Sequence, residues 1–146
     1  MKILVPIDGS QYSLEALNMA KSIAEKFSGE LMVVNIQRRL VSRPKSTEFD
    51  VSEFIEDNPD ILRERGERVL KKGLEALKGS SLKVETCILM GDPADQILEC
   101  AKESKADMIV MGSLGLTGIT RFLMGSVSTK VVNHADIPVM VVKKPG

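Results

Sequence analysis

Five short apolar segments alternate along the chain with stretches of helical periodicity. The first, Lys2–Ile7, stops at Asp8-Gly9-Ser10, which is typical of a strand buried on both faces. The other four are Leu31–Ile36, Lys83–Met90, Asp107–Met111 and Ile137–Lys143. Strands that alternate with helices pack as a parallel sheet that is covered on both faces. The sequence therefore predicts an α/β fold with an open five-stranded parallel sheet.

Right-handed crossovers limit the order in which these strands can lie side by side. If the first three strands wind outward in one direction and the last two in the other, the order is 3-2-1-4-5. A crevice then opens between the first and fourth strands at their carboxyl ends. Those ends carry Asp8 and Gly112. The topology therefore predicts that residues from opposite ends of the chain meet in one crevice.

Capping residues predict where the helices begin. Asp8 and Ser10 offer N-cap oxygens to a first helix whose apolar stripe ends at Phe27. Asn58-Pro59 and Asp92-Pro93 each combine a capping side chain with a proline suited to the first helical position. The apolar stripe of the second helix consists of Ile61, Leu62, Val69, Leu70, Leu74 and Leu77.

The length of 146 residues suits one domain, so we interpret residues 1–146 as a single domain. Its least regular part is the segment 37–57, which is charged and has no sustained period. Loops of this length inside a compact domain are usually functional or disordered. Two interpretations of residues 37–57 remain open: a solvated loop, and a lid or partner surface.

The balance of charge argues against two classes of partner. Lys plus Arg and Asp plus Glu both number 20, so the chain is formally neutral. Nucleic-acid binding by counterion release, or membrane binding through a polybasic patch, depends on excess positive charge. No apolar run approaches membrane-spanning length and no basic leader opens the chain, so we expect a cytoplasmic protein. Cys87 and Cys100 lack metal-ligand or CxxC spacing and are predicted to be free thiols.

The fourth strand runs into a glycine-rich segment, Met111–Ser128 (MGSLGLTGITRFLMGSVS). Two residues separate Gly112 from Gly115, nine separate Gly115 from Gly125, and Ser126 follows directly. Backbone N–H groups at glycine can approach an anion closely because glycine has no Cβ. A helix is predicted to start at Gly125, and its first-turn N–H groups form a natural phosphate site. The pattern predicts a phosphate cradle, with the hydroxyls of two nearby serines as further donors.

This Gly-x2-Gly-x9-Gly-Ser spacing resembles the nucleotide-binding motif of the universal stress protein family, in its ATP-binding branch. The opening ILVPIDGS (Ile3–Ser10) and the closing IPVMVVK (Ile137–Lys143) are similar to the family's first and last strands, so the resemblance covers essentially the whole chain. It implies a Rossmann-like fold, of the adenine nucleotide alpha hydrolase type. The ligand that it implies is ATP, or else ADP or AMP, with Mg²⁺ bound to the nucleotide.

The resemblance implies four groups of site residues. Those lining the adenosine are Pro6, Ile7 and Asp8, and those packing on the base are Ile36 and Met111. Those wrapping the sugar and phosphates are Gly112, Leu114 and Gly115, and those holding the phosphates are Gly125, Ser126, Val127 and Ser128. Asp8 is also implied as a contact to the ribose or to a phosphate-bound Mg²⁺. The family often has a basic or polar residue where Leu114 stands, so only the Leu114 backbone can serve.

Several of these residues also have a structural interpretation. Asp8 can cap the first helix instead of contacting a ligand. Ile36 and Met111 lie at strand ends and are core residues unless the crevice exists. Arg121 can reach a terminal phosphate or remain exposed. His134 is predicted to be structural, near the C-terminal end of a short last helix.

Three functions fit this pattern. The chain has no Gly-x4-Gly-Lys-Ser/Thr loop and no Ser/His/Asp arrangement in a recognisable context. We therefore predict an ATP-binding regulatory, stress-response protein with at most slow hydrolysis and an unidentified protein partner. The alternatives are an adenylating enzyme of related fold and a nucleotide-independent scaffold. The apolar last strand, Ile137–Val142, predicts a homodimer through its open edge.

Overall fold

The computed structural model describes residues 1–38, 58–115 and 124–144. Nearly all of the segment 37–57 lies outside these residues, and so does Arg121. In chain order the elements are β1 (Lys2–Pro6), α1 (Gln11–Lys26), β2 (Glu30–Gln37), α2 (Pro59–Ala76), β3 (Val84–Met90), α3 (Pro93–Glu103), β4 (Met108–Gly112), α4 (Ser126–His134) and β5 (Val139–Val142).

All described strand pairs are parallel, and the strand order is β3-β2-β1-β4-β5. This result confirms the predicted order, with β1 at the centre of the sheet. The direction of winding reverses between β1 and β4, so loops leave their carboxyl ends toward opposite faces. Strands β3 and β5 form the two edges of the sheet.

The helices divide between the two faces of the sheet. Helices α1 and α2 cover one face, where Ile3, Val5 and Leu17 are fully buried. Helices α3 and α4 cover the other, where Leu4 and Ile109 are fully buried. Alternate β1 side chains therefore enter opposite cores, which explains why β1 is apolar from Ile3 to Pro6. Each such buried aliphatic side chain contributes roughly 1.5–3 kcal/mol through removal from water.

Helix α1 begins and ends at residues with non-helical roles. Its N-cap is Ser10, whose Oγ accepts a hydrogen bond from Ser13 N at 3.2 Å. Its C-cap is Phe27, with φ −108° and ψ 14°. The prediction that Phe27 lies on the buried stripe is wrong: the residue is 67% exposed. Its position past the last helical turn directs the ring away from the sheet.

Helix α2 approaches the sheet through glycines. A Cβ added at Gly73 would lie 2.6 Å from Ile7 Cδ1, and one added at Gly66 would lie 3.1 Å from Asn35 Oδ1. These distances leave no room for a larger residue without movement of a neighbour. The predicted leucine stripe is wrong at Leu74, which is 42% exposed, because the buried face runs through the adjacent Gly73.

Both cysteines are free, as predicted. Cys100 lies on the buried face of α3. Its burial is the main cause that raises the pKa of its thiol, and the nearby Cys87 and Glu103 raise it further. The Cys100 thiol is therefore neutral at physiological pH and packs as a small apolar group. Among the described residues, no helix combines the length and apolar character needed to cross a membrane.

Candidate functional site

The carboxyl ends of β1 and β4 meet at the centre of the sheet. The two strands pair in the register Ile3 with Met108 and Leu4 with Ile109. Past these pairs, a Cβ added at Gly115 would lie only 2.7 Å from Asp8 Oδ2. The predicted topology thus brings the Asp8 carboxylate and the loop after β4 into direct contact.

Asp8 supports the turn before α1 rather than capping the helix itself. Its Oδ1 accepts a hydrogen bond from Ser10 N at 2.9 Å, two residues along the chain. The N-cap role belongs to Ser10, so the capping interpretation of Asp8 is wrong. The turn continues through Gly9 with φ +86°, a left-handed conformation that favours glycine. As a result, the second carboxylate oxygen faces Gly115.

No side chain of the described residues caps the amino end of α4. Its N-cap is Gly125, with φ −67° and ψ 166°, whereas Ser10, Asn58 and Asp92 cap the other three described helices through their side chains. Gly125 N donates to Ser113 O at 2.7 Å, which fixes the helix start against the end of β4. The following first-turn N–H groups have no partner within the helix and carry partial positive charge. An anion can be held at this end of α4.

Ser128 has a different role from the one predicted. It is buried, and its Oγ donates to Ser113 O at 2.9 Å and lies 3.1 Å from Gly125 O. The hydroxyl therefore holds the first turn of α4 to the loop instead of pointing to a ligand. Ser126 is exposed at the helix start. Ser113, whose buried carbonyl joins the two elements, was not predicted as a site residue, because residue type does not show which backbone carbonyls accept hydrogen bonds.

Apolar side chains line the α3/α4 side of the crevice. Ile36, Met111 and Val127 belong to the core cluster on this face. Pro6 points to the same face, because it alternates in β1 with Leu4. Ile7 belongs instead to the opposite cluster, beneath α1 and α2, so only its backbone can reach a ligand. The α3/α4 face of the sheet thus places apolar side chains close to the start of α4.

Gly112 is required by packing rather than by a ligand. A Cβ added there would lie 2.8 Å from Tyr12 Cβ, 2.9 Å from its carbonyl carbon and 3.0 Å from its oxygen. Two of these atoms are backbone of α1, so the helix itself would have to shift. The close contact between β4 and the first turn of α1 therefore depends on this glycine.

We expect Gly112→Ala to lower the free energy of unfolding by roughly 2 kcal/mol, the typical effect of overpacking. Urea denaturation of the purified protein measures this change. Gly125→Ser is the matched control, because a Cβ there would lie no closer than 3.5 Å to any atom of the described residues and serine is at least as good an N-cap as glycine. Equal stability of the two variants would contradict the packing role of Gly112.

An ion cluster fixes the direction of α4. Lys130 Nζ lies 2.9 Å from Asp95 Oδ1 and 3.4 Å from Asp92 Oδ2, both in the first turn of α3. The hydrogen bond to Asp95, with further contribution from Asp92, raises the pKa of Lys130. The backbone N–H of Asp95, and then Lys130, lower the pKa of Asp92. Lys130 and Asp92 therefore stay ionised at neutral pH, and their ion pair joins α4 to α3.

The only histidine, His134, lies at the C-terminal end of α4 and is exposed. Its Nδ1 bonds to Lys130 O at 2.9 Å, as predicted for a structural residue. Within residues 1–38, 58–115 and 124–144, no group of three or more His, Cys, Asp and Glu side chains is arranged to hold a metal ion.

Comparisons with known proteins find relatives across the whole chain. The sequence model of the universal stress protein family matches residues 1–143. Universal stress protein MJ0531 of Methanocaldococcus jannaschii is 39% identical over 152 residues, covering 99% of this chain and 82% of that protein. The solved structure of hypothetical protein MJ0577 is similar with a TM-score of 0.82 and 28% identity, covering 99% of this chain and 96% of that chain. A universal stress protein in complex with cAMP is similar with a TM-score of 0.70 and 26% identity, covering 97% and 96%.

Proposed function

This chain belongs to the universal stress protein family, and on that premise we propose that it is a regulatory protein whose conformation or partner choice depends on a bound adenine nucleotide. The ligand is ATP, or else ADP or AMP, with at most slow hydrolysis. A relative of similar fold holds cAMP, which is also an adenine nucleotide. The protein works in the cytoplasm, where its two free thiols stay reduced.

One observation carries this proposal: the Asp8 carboxylate, Gly115 and the uncapped end of α4 lie at the same crevice. The loop after β4 contacts Asp8 through Gly115. The same loop contacts the start of α4, because a Cβ added at Gly125 would lie 3.7 Å from Leu114 Cα. A phosphate seated on the α4 N-terminus would therefore be next to this loop. The apolar wall of Ile36, Met111 and Val127 suits a purine ring.

We propose that Mg²⁺ binds in complex with the nucleotide phosphates. The space beside Asp8 Oδ2 is one that a Cβ at Gly115 would fill, which fits a carboxylate that must approach a ribose or a hydrated cation. Mg²⁺ in nucleotide sites commonly uses one or two carboxylates together with substrate phosphates and waters. When bound, the ion neutralises phosphate charge. Among the described residues of this crevice, we propose Asp8 as the one that contacts Mg²⁺.

Isothermal titration with AMP, ADP and ATP, each with and without Mg²⁺, tests the proposal. We expect saturable heat for at least one of these nucleotides and a higher Tm in its presence, because ligand binding to the folded state stabilises it. The absence of both effects at millimolar nucleotide would contradict nucleotide binding. Pyrophosphate release from ATP in the same samples would instead favour the adenylating enzyme.

The protein is further proposed to form a homodimer through Ile137–Val142. Strand β5 lies at an edge of the sheet, and its Met140 is 37% exposed. An apolar edge strand offers backbone groups and side chains to a second copy, and closed two-fold pairing hides both edges at once.

Val141→Lys is expected to raise the dimer dissociation constant at least about tenfold, because the change places an unpaired charge in an apolar interface. Sedimentation equilibrium measures the constant. Val132→Lys, at a residue that is exposed on α4, is the matched control for added charge. A wild-type protein that stays monomeric at all concentrations would reject the dimer.

A further inference from the structure

The peptide group between Ile7 and Asp8 is held from two sides. The Ile7 carbonyl accepts a hydrogen bond from Asn35 Nδ2 at 2.8 Å. The Asp8 N–H donates to Ser13 Oγ at 3.3 Å. This carbonyl and this N–H belong to one planar unit, so two bonds in opposite directions fix its orientation. Asn35 lies on β2 and Ser13 on α1, so both clamping side chains come from outside β1.

Asn35 is a buried polar residue between the apolar residues Val34 and Ile36 of β2. Its exposed fraction is 2%, and its Oδ1 accepts from Gln37 Nε2 at 2.7 Å. A carbonyl oxygen such as that of Ile7 can only accept, so the amide nitrogen must face it. Gly66 of α2 lets the helix close over the amide oxygen, since a Cβ there would lie 3.1 Å away. The amide is therefore fixed in one orientation by bonds at both of its ends.

This amide acts at the place where β1 leaves β2. The last paired residues are Pro6 and Val34, and Ile7 N still donates to Val34 O at 2.8 Å. At the Ile7 carbonyl, the Asn35 side chain provides the donor. The chain then turns through Asp8 and Gly9 toward the loop after β4. Asn35 and Ser13 together determine the direction in which Asp8 leaves the strand.

We propose that Asn35 and Ser13 are positioning residues that orient the Asp8 carboxylate toward Gly115 before a nucleotide binds. This inference rests on the proposed function for its effect on affinity, and on the folded protein alone for its effect on Asp8. A carboxylate already held in place avoids the ordering cost that a mobile one incurs on binding. The two residues therefore strengthen binding through Asp8 without contacting the ligand.

Asn35→Leu removes the amide donor and keeps nearly the same shape. We expect about a tenfold loss of affinity for the best-binding nucleotide found by titration, in line with one lost hydrogen bond to a buried carbonyl. In an Asp8→Ala background, the same substitution is expected to change affinity little, because its route to the ligand is gone. Leu31→Ala, at the far end of β2, is the control for lost stability, and we expect it to spare affinity.

Ser13 gives a second variant in case Asn35→Leu folds poorly. Ser13→Ala is expected to lower affinity in the same Asp8-dependent way, and Ser13→Thr, which keeps the hydroxyl, to restore it. Without any ligand, exchange of the Asp8 amide hydrogen should be faster in Asn35→Leu than in Leu31→Ala. Unchanged affinity and unchanged exchange overturn the inference while leaving nucleotide binding intact. A wild-type protein that binds no nucleotide contradicts the proposed function, and the exchange rates still decide whether the clamp exists.

Discussion

Replacing Gly125 with valine is expected to abolish nucleotide binding, with a loss of affinity greater than about a hundredfold, or ~2.7 kcal/mol. A branched side chain at the N-cap would cover the first-turn N–H groups of α4, where we propose that the phosphates bind. Backbone donors at a helix start are useful to an anion only if it can reach them directly. Titration with ATP, AMP and adenosine measures the loss, and we expect adenosine to lose least because it has no phosphate.

The fold itself does not require glycine at position 125. Its φ of −67° and ψ of 166° are extended backbone values open to any residue. A Cβ there would lie 3.5 Å from Ser113 O and 3.7 Å from Leu114 Cα, which are ordinary contacts. Packing and backbone strain therefore do not explain glycine at this N-cap. The preference of N-cap positions for glycine over alanine or valine explains it, and the close approach of the ligand that we propose is a second reason.

Gly125→Ser separates affinity from stability most clearly. Serine is a better N-cap than glycine by a few tenths of a kcal/mol, so we expect the variant to be about as stable as the wild type or slightly more so. Its side chain still occupies the phosphate position, so affinity should fall. Thr129→Val, one turn further along α4, is the control for a β-branched apolar side chain on this helix. Full affinity in Gly125→Ser and Gly125→Val would mean that the phosphates do not bind at α4.

The order of the strands was predictable because hydrophobic pattern and crossover handedness together leave few topologies. Apolar runs such as Ile3–Ile7 identify strands covered on both faces, and reversal of winding between β1 and β4 then places Asp8 opposite Gly112. Local patterns in the sequence thus predict that Asp8 and Gly112, which are far apart in the chain, lie close together. Hydrophobic pattern and crossover handedness do not predict side-chain contacts, since they determine which elements are neighbours but not how closely these elements approach.

The three motif glycines show where prediction from sequence stops. All three were predicted to let an anion approach the backbone. Gly112 makes room for backbone of α1 and Gly115 for the Asp8 carboxylate, whereas no atom of residues 1–38, 58–115 and 124–144 would lie within 3.4 Å of a Cβ at Gly125. A missing side chain carries no information about what occupies its space. Only the tertiary structure separates a packing glycine from one that leaves space for a ligand.

Polar residues at the site were harder to assign. Ser128 was predicted to donate to a phosphate, but its hydroxyl bonds to Ser113 O. Asn35 was passed over, although an amide between the apolar residues Val34 and Ile36 is a detectable signal, since a buried amide must find partners. The sequence can indicate that a buried amide such as that of Asn35 has hydrogen-bond partners. It cannot indicate the partner, since the Ile7 carbonyl is a backbone group on another strand.

Gly115→Ala is expected to lower nucleotide affinity by about thirtyfold, or ~2 kcal/mol, with a much smaller change in stability. The added Cβ would lie 2.7 Å from Asp8 Oδ2, and the only other atom of the described residues within 4 Å is Asp8 Cγ, at 3.9 Å. Rotating the carboxylate away weakens its hydrogen bond from Ser10 N, a net cost to the fold of roughly 0.5–1 kcal/mol. The rotation, however, moves the oxygen that we propose contacts the ribose or Mg²⁺.

Asp8→Asn distinguishes those two contacts, because it removes the negative charge and keeps the shape of the side chain. If Asp8 contacts Mg²⁺, the loss of affinity should be large for Mg-ATP and small for AMP, since a cation site depends on charge. If Asp8 accepts hydrogen bonds from the ribose, both nucleotides should lose affinity to a similar extent. If Asp8→Asn binds every nucleotide as tightly as the wild type does, Asp8 is not part of the site.

A double-mutant cycle decides whether Gly115 acts through Asp8. Asp8→Ala alone should weaken binding by about a hundredfold, and adding Gly115→Ala should then cost little, because no carboxylate remains to be displaced. The coupling energy would nearly equal the effect of Gly115→Ala alone. Additive losses would instead mean that the Gly115 backbone meets the ligand directly. The cycle thus tests whether the crevice needs glycine at position 115 for a protein group or for the nucleotide.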